Sequence, residues 1–115
     1  MKLINLTNDP LINLYLENGS ILSFPQKGIL RVDSTSEYVE RIDGLFDIRK
    51  TKWSLKELPP QEADIKYIVS SLTAMAIRDL YPSRRDFICP NTHPSQVVKD
   101  YKNRVIGCLS FQVFD

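Results

Sequence analysis

The passage YIVSSLTAMAIRDLYPSRRDFICP, Tyr67 to Pro90, gathers residue types suited to holding an anion. Ser70, Ser71 and Thr73 open a predicted helix, where backbone N–H groups lack intrahelical acceptors and the positive end of the helix dipole lies. Arg78 falls within that helix, and Arg84 and Arg85 follow it. A planar guanidinium suits phosphate or carboxylate. Helical rise places residues beyond the helix about 15 Å from the serines, so the chain must fold back for those arginines to help. Trp53, flanked by Lys50, Lys52 and Lys56, and Tyr67 offer aromatic faces on which a base could stack. The competing reading makes Ser70 a plain helix cap, leaves the arginines in solvent and uses Trp53 to plug the core.

Other chemistry finds thinner support. Glu40 and Asp47, with Asp43 nearby, could share a proton or bind a hard cation if a hairpin held them close, but a solvated hairpin accounts for them too. His93 would need a positioned partner such as Asp86 or Asp100 to act as a base, with Cys89 or Cys108 as nucleophile. Both cysteines sit in apolar segments that favour inert, reduced thiols. One histidine and two widely spaced cysteines match no zinc pattern. Walker glycines, a nucleophile elbow and a zinc-protease helix do not occur. The expectation is a non-enzymatic protein without metal or cofactor.

The elements that must position these residues are mostly short strands. Leu3 to Leu6 reads as a first strand, and Asn18-Gly19 as a two-residue hairpin turn pairing Glu17 with Ser20 and Leu16 with Ile21. Ile29 to Val32 reads as a further strand, followed by a polar loop, DSTSE. A second hairpin turns at Asp43-Gly44. A two-residue loop there pairs Ile42 with Leu45 and sets Glu40 against Asp47, like charges that exposure, a nearby cation or a longer loop could relieve. Exposure is the expected remedy. Pro59-Pro60 marks an extended, exposed connector. Ile65 to Val69 passes from alternation to a continuous apolar run, the mark of a central strand. The helix should bury Leu72, Met75, Ala76 and Leu80 and stop at Pro82. DFICP adds a strand, and a third hairpin turns near Lys102-Asn103. The expected fold is α+β: a mostly antiparallel bent sheet or open barrel of about eight short strands with one short helix, in a single domain over residues 1–115.

Composition narrows the partners. The 115 residues carry 15 basic and 14 acidic side chains, a net charge of +1, so overall charge gives no attraction to nucleic acid. Hydrophobic residues make up 43% and charged residues 25%, close to ordinary globular usage, so neither disorder nor a coiled coil is suggested. No apolar run reaches the roughly 18 residues needed to span a bilayer, and the apolar stretch of MKLINLTNDP is short for a signal peptide. A cytoplasmic protein is therefore expected.

The order of INLTNDPLINLY, FPQKGILRV, YIVSSLTAMA, RRDFICP and RVIGCLSF resembles a family of small, mostly uncharacterised proteins encoded by phages and prophages. The resemblance covers most of the chain in order and spacing. Its first motif often carries Thr-Pro-His in the family, whereas Thr7-Asn8-Asp9-Pro10 here lacks the histidine. The resemblance implies an accessory protein acting in the cytoplasm of a bacterial host, with counter-defence as one such role. Two functions follow. The first is sequestration of an anionic ligand such as a signalling nucleotide by Ser70, Ser71, Thr73, Arg84 and Arg85, with Trp53 or Tyr67 stacking on the base. The second is protein interaction, through self-association or a host partner, motivated by hairpins with two apolar faces.

Overall fold

Apolar runs such as Tyr67–Val69 and Phe87–Cys89 need cover on both faces of their sheet. In the computed structural model, which describes residues 1–55 and 57–114, they receive it. The strands are β1 (Lys2–Asn5), β2 (Leu11–Tyr15), β3 (Ile21–Pro25), β4 (Asp33–Ile42), β5 (Phe46–Ser54), β6 (Ile65–Ile68), β7 (Phe87–Pro90), β8 (Val97–Lys99), β9 (Val105–Cys108) and β10 (Phe111–Gln112). The helix, α1, spans Ser71–Leu80 between β6 and β7. One sheet runs β1-β6-β7-β10, a second runs β3-β2-β9-β8, and β4-β5 stands as a two-stranded ribbon.

The fold is α+β, with mixed sheets in place of the expected antiparallel one, and none is closed into a barrel. In the first sheet the reason lies in α1. A strand that returns through a helix comes back parallel, so β6 and β7 pair parallel, and β1 joins β6 in the same sense. Side-chain alternation then gives two cores. Tyr67, Val69, Phe87 and Cys89 pack beneath Ala74 and Ile77 of α1. Ile68 and Ile88 point the other way, onto Ile12 and Phe24 of the second sheet. The layers are therefore sheet, sheet and helix.

The helix buries Thr73, Ala74, Ala76 and Ile77, while Leu72, Met75 and Leu80 of the expected face are exposed. The rings of Tyr67 and Phe87 are stacked 5.5 Å apart on the sheet's helix-facing side. The helix therefore meets the rings with Thr73, Ala74, Ala76 and a single large side chain, Ile77, while Leu72, Met75 and Leu80 turn outward.

Two hairpin registers are one residue off expectation. In β2–β3, Tyr15 pairs with Ile21, and Glu17, Asn18 and Gly19 form the turn, closed by Gly19 N to Leu16 O at 3.0 Å with Gly19 at φ 87°. In β4–β5, Ile42 pairs with Phe46 across residues 43–45. The longer loop is the remedy adopted for the Glu40–Asp47 clash. Asp47 now faces Arg41, with Nη1 to Oδ1 at 2.9 Å, and Glu40 faces Ile48. Ile29–Val32 forms no strand; Asp33–Glu37, expected as a loop, opens β4. The third hairpin turns with Asn103 at φ 63°, as its sequence indicates.

The INLTNDP passage is a buried polar knot. Asn5, 1% exposed, donates from Nδ2 to Phe24 O and Asp9 O, and its Oδ1 accepts from the amide and hydroxyl of Thr7. Gln26 Nε2 donates to Thr7 O. The motif thereby ties β1 to the end of β3.

Candidate functional site

The serine corner forms as a cap and does not meet the two arginines. Ser70 Oγ accepts from Thr73 N at 3.2 Å and donates to Thr73 Oγ1 at 2.9 Å. Ala74 N, bonded to Ser70 O, starts the helical ladder, so the amides of Ser71 and Leu72 have no intrahelical acceptor. A cavity of about 380 Å³ opens here, lined by Ser70, Leu72, Thr73 and Thr7 and walled by residues 29–33. Its cation is Arg31, and Asp33 stands on the same wall. One positive and one negative side chain leave the helix end as the only net attraction.

Arg84 is a structural clamp. Its Nε and Nη2 grip Asp86 Oδ1 and Oδ2 at 2.9 and 2.7 Å, and Nη2 also donates to Pro59 O at 2.8 Å. The guanidinium lies over the Phe87 ring, 4.9 Å from its centroid. The hydrogen bond to Asp86 raises the Arg84 pKa further. Tyr67, expected as a stacking face, is buried and donates its hydroxyl to Pro60 O at 2.8 Å. Burial, with help from Glu62 and Asp86, pushes that phenol up. Together Arg84 and Tyr67 hold the Pro59-Pro60 connector against β6 and β7. The RRDF and PP passages are thus one joint, which sequence spacing could not show.

The arginines do gather with other cations elsewhere. Arg84, Arg85, Arg78 and Lys66 line a cavity of about 270 Å³ beside the C-terminal half of α1, with Phe87 and Phe114 on its wall. Lys66 Nζ donates to Arg85 O at 3.4 Å. Arg84 is already neutralised by Asp86, so Lys66 and Arg78 supply the positive charge that favours this cleft over the Arg31–Asp33 wall for an anion.

Trp53 is half-buried on β5, opposite Ser34. Strand alternation sends Lys50 and Lys52 to the other ribbon face, so they do not ring the indole. Lys56 lies outside the described residues. His93 Nδ1 accepts from Ser95 N at 3.1 Å, an assignment that puts the neutral ring's proton on Nε2. Neither proposed carboxylate partner meets it, since Asp86 is held by Arg84 and Asp100 by Arg104. Cys89 and Cys108 are buried and free, and burial raises both thiol pKa values.

The feature that sequence reading underrated is the β4–β5 ribbon. It pairs with neither sheet, and it draws the molecule out to 58 × 38 × 23 Å. The radius of gyration is 17.2 Å, against about 13 Å for a compact chain of this length. At its tip Leu45 and Phe46 are 76% and 54% exposed, and Tyr38, midway along the ribbon, is 59% exposed. The sequence signal was present in the apolar residues Leu45, Phe46 and Ile48 around Asp43-Gly44; what was missing was any sign that no layer covers them.

No protein-family model, curated protein or solved structure matches the chain. Among the described residues no helix is long and apolar enough to cross a membrane, and no cluster of three His, Cys, Asp or Glu side chains could hold a metal ion.

Proposed function

We propose that this is a non-enzymatic protein-interaction module that works through the β4–β5 arm. The observation that carries this reading is the exposed apolar tip on a ribbon that no other sheet supports. A two-stranded hairpin is marginal in water by itself, and large apolar side chains at its end gain most by being covered. In the phage-type accessory role that the resemblance implies, such an arm would reach a protein surface that a compact body could not.

The test uses the buried native thiols. A Leu45→Cys variant carries one accessible cysteine among the described residues, to which a photo-reactive group can be attached. Irradiation of the purified protein and of a bacterial extract should give discrete adducts that disappear when Phe46→Ser is added. An arm tip that forms no specific adduct in either setting overturns the reading.

A second reading is sequestration of an anionic ligand such as a nucleotide. Lys66 and Arg78 beside the smaller cavity favour it, with Phe87 and Phe114 supplying apolar wall. Its test is a thermal-shift screen of nucleotides at low salt on the wild type and on Arg78→Ala and Lys66→Ala. These positions avoid the Arg84 clamp. A ligand that raises the melting temperature of the wild type alone supports this reading, and the absence of any such ligand removes it.

A further inference from the structure

We infer that the arm's partner is a second copy of this chain, its β4–β5 ribbon packed face to face and tip to tip with the first. This rests on the reading of the arm as an interaction element and names its occupant.

The pairing register fixes which side chains share a face. Arg41 and Asp47, directly paired, and Arg49 with Ser36 lie on one side, joined by hydrogen bonds among themselves. The opposite side is divided by strand. Its β4 column reads Ile42, Glu40, Glu37 from tip to root, and its β5 column reads Phe46, Ile48, Lys50, Lys52. The ion pair between Lys52 Nζ and Glu37 Oε1 at 3.0 Å confirms that these columns share a face. Among the described residues Glu40 and Lys50 have no ion-pair partner in the chain.

That pattern is self-complementary in one arrangement. Homodimers are most often two-fold symmetric, with the same patch used on both copies. Let the two-fold run along the arm between two such faces. Each β4 then crosses over the second copy's β5, at about the 10 Å spacing of packed sheets. Ile42 meets the second copy's Phe46, Glu37 meets its Lys50, and Glu40 lies over its Ile48, one same-face step from its Lys50. Apolar covers apolar at the tip, and acid faces base along the shaft, twice over by symmetry. Reversing one arm would set the apolar tip on the charged shaft and desolvate lysines without partners. The charge pattern therefore selects tip-to-tip packing.

Two charge-reversed proteins test this by sedimentation. One carries Glu37→Lys with Glu40→Lys, the other Lys50→Glu with Lys52→Glu. Wild type should sediment as a dimer at micromolar concentration. Each variant alone should be monomeric, with dimer affinity at least tenfold weaker, because like charges then oppose each other across the two-fold. Mixed together, the variants should form a heterodimer, since each acidic column again faces a basic one. Damage within one arm could not be repaired by mixing, so the rescue is specific to pairing between copies. A monomeric wild type, variants that stay dimeric, or a mixture that fails to associate overturns the inference. If the inference fails while a larger adduct still forms at the tip in the bacterial extract, the arm binds a different protein and the broader reading stands.

Discussion

Replacing Arg84 with alanine separates a structural clamp from a ligand-binding arginine. The Arg84 and Asp86 side chains are 15% and 6% exposed, and the pair is bidentate. Removing the cation strands a buried carboxylate, frees Pro59 O and uncovers the Phe87 ring. Breaking a buried pair on one side costs about 3–5 kcal/mol, whereas an exposed pair is worth about 0–1 kcal/mol. Against a total stability of about 5–15 kcal/mol, the larger figure would bring Arg84→Ala close to unfolding. With an m-value of about 2 kcal/mol/M, the urea midpoint should fall by about 2 M. The paired variant Arg84→Met with Asp86→Leu should recover most of the loss, because apolar replacements leave no charge stranded. Equilibrium urea unfolding followed by circular dichroism measures all three proteins. A loss below about 1 kcal/mol for Arg84→Ala, the value of a surface pair, would refute the clamp.

Three further outcomes follow from the geometry. At Gly107 an added Cβ would lie 2.8 Å from Asn13 O and 2.5 Å from the Tyr15 ring, so Gly107→Ala should cost about 1–3 kcal/mol in urea unfolding; a neutral effect would show that β2 and β9 do not approach so closely. The amide of Arg104, the largest influence, outweighs desolvation and, with the Arg104 guanidinium and the Lys102 amide, holds the Asp100 pKa below the usual carboxylate range. A depressed folded pKa contributes stability that is present above the unfolded carboxylate pKa and lost as pH falls through the folded one, so Asp100→Asn should flatten the acid limb of melting temperature against pH; an unchanged limb would count against the turn. Burial of Cys89 and Cys108 predicts slow reaction with a thiol reagent at neutral pH until the protein unfolds; rapid labelling of both in the native state would contradict it.

Much of the fold was legible where local chemistry decides it. The Tyr67–Val69 run announced a strand covered on both faces, Ser70 announced the helix start, and Asn103 announced a left-handed turn residue. Register was less legible, because Asn18-Gly19 and Asp43-Gly44 each fit a two-residue or a three-residue loop, and cross-strand pairing chose between them. Setting Asp47 against Arg41 was readable as a gain, yet exposure offered an equally local escape. Parallel pairing of β6 with β7 followed from the helix between them, and an expectation of linked hairpins hid it. The candidate site was harder. Arg84 and Tyr67 looked like ligand groups because arginine and tyrosine serve both roles, and only tertiary contact with Pro59 and Pro60 shows that both are occupied. Arg31 reaches its cavity from a segment distant in sequence, so spacing could not nominate it.

The most direct measurement is a spin-label distance between arm tips. A label on Leu45→Cys reports on the tip alone while the native thiols stay buried. Two-fold, tip-to-tip arms predict a narrow distribution on the order of 20 Å, the about 10 Å sheet spacing plus the reach of two labels. A sample with no dipolar coupling, or tips separated by about the 58 Å length of the molecule, would contradict it.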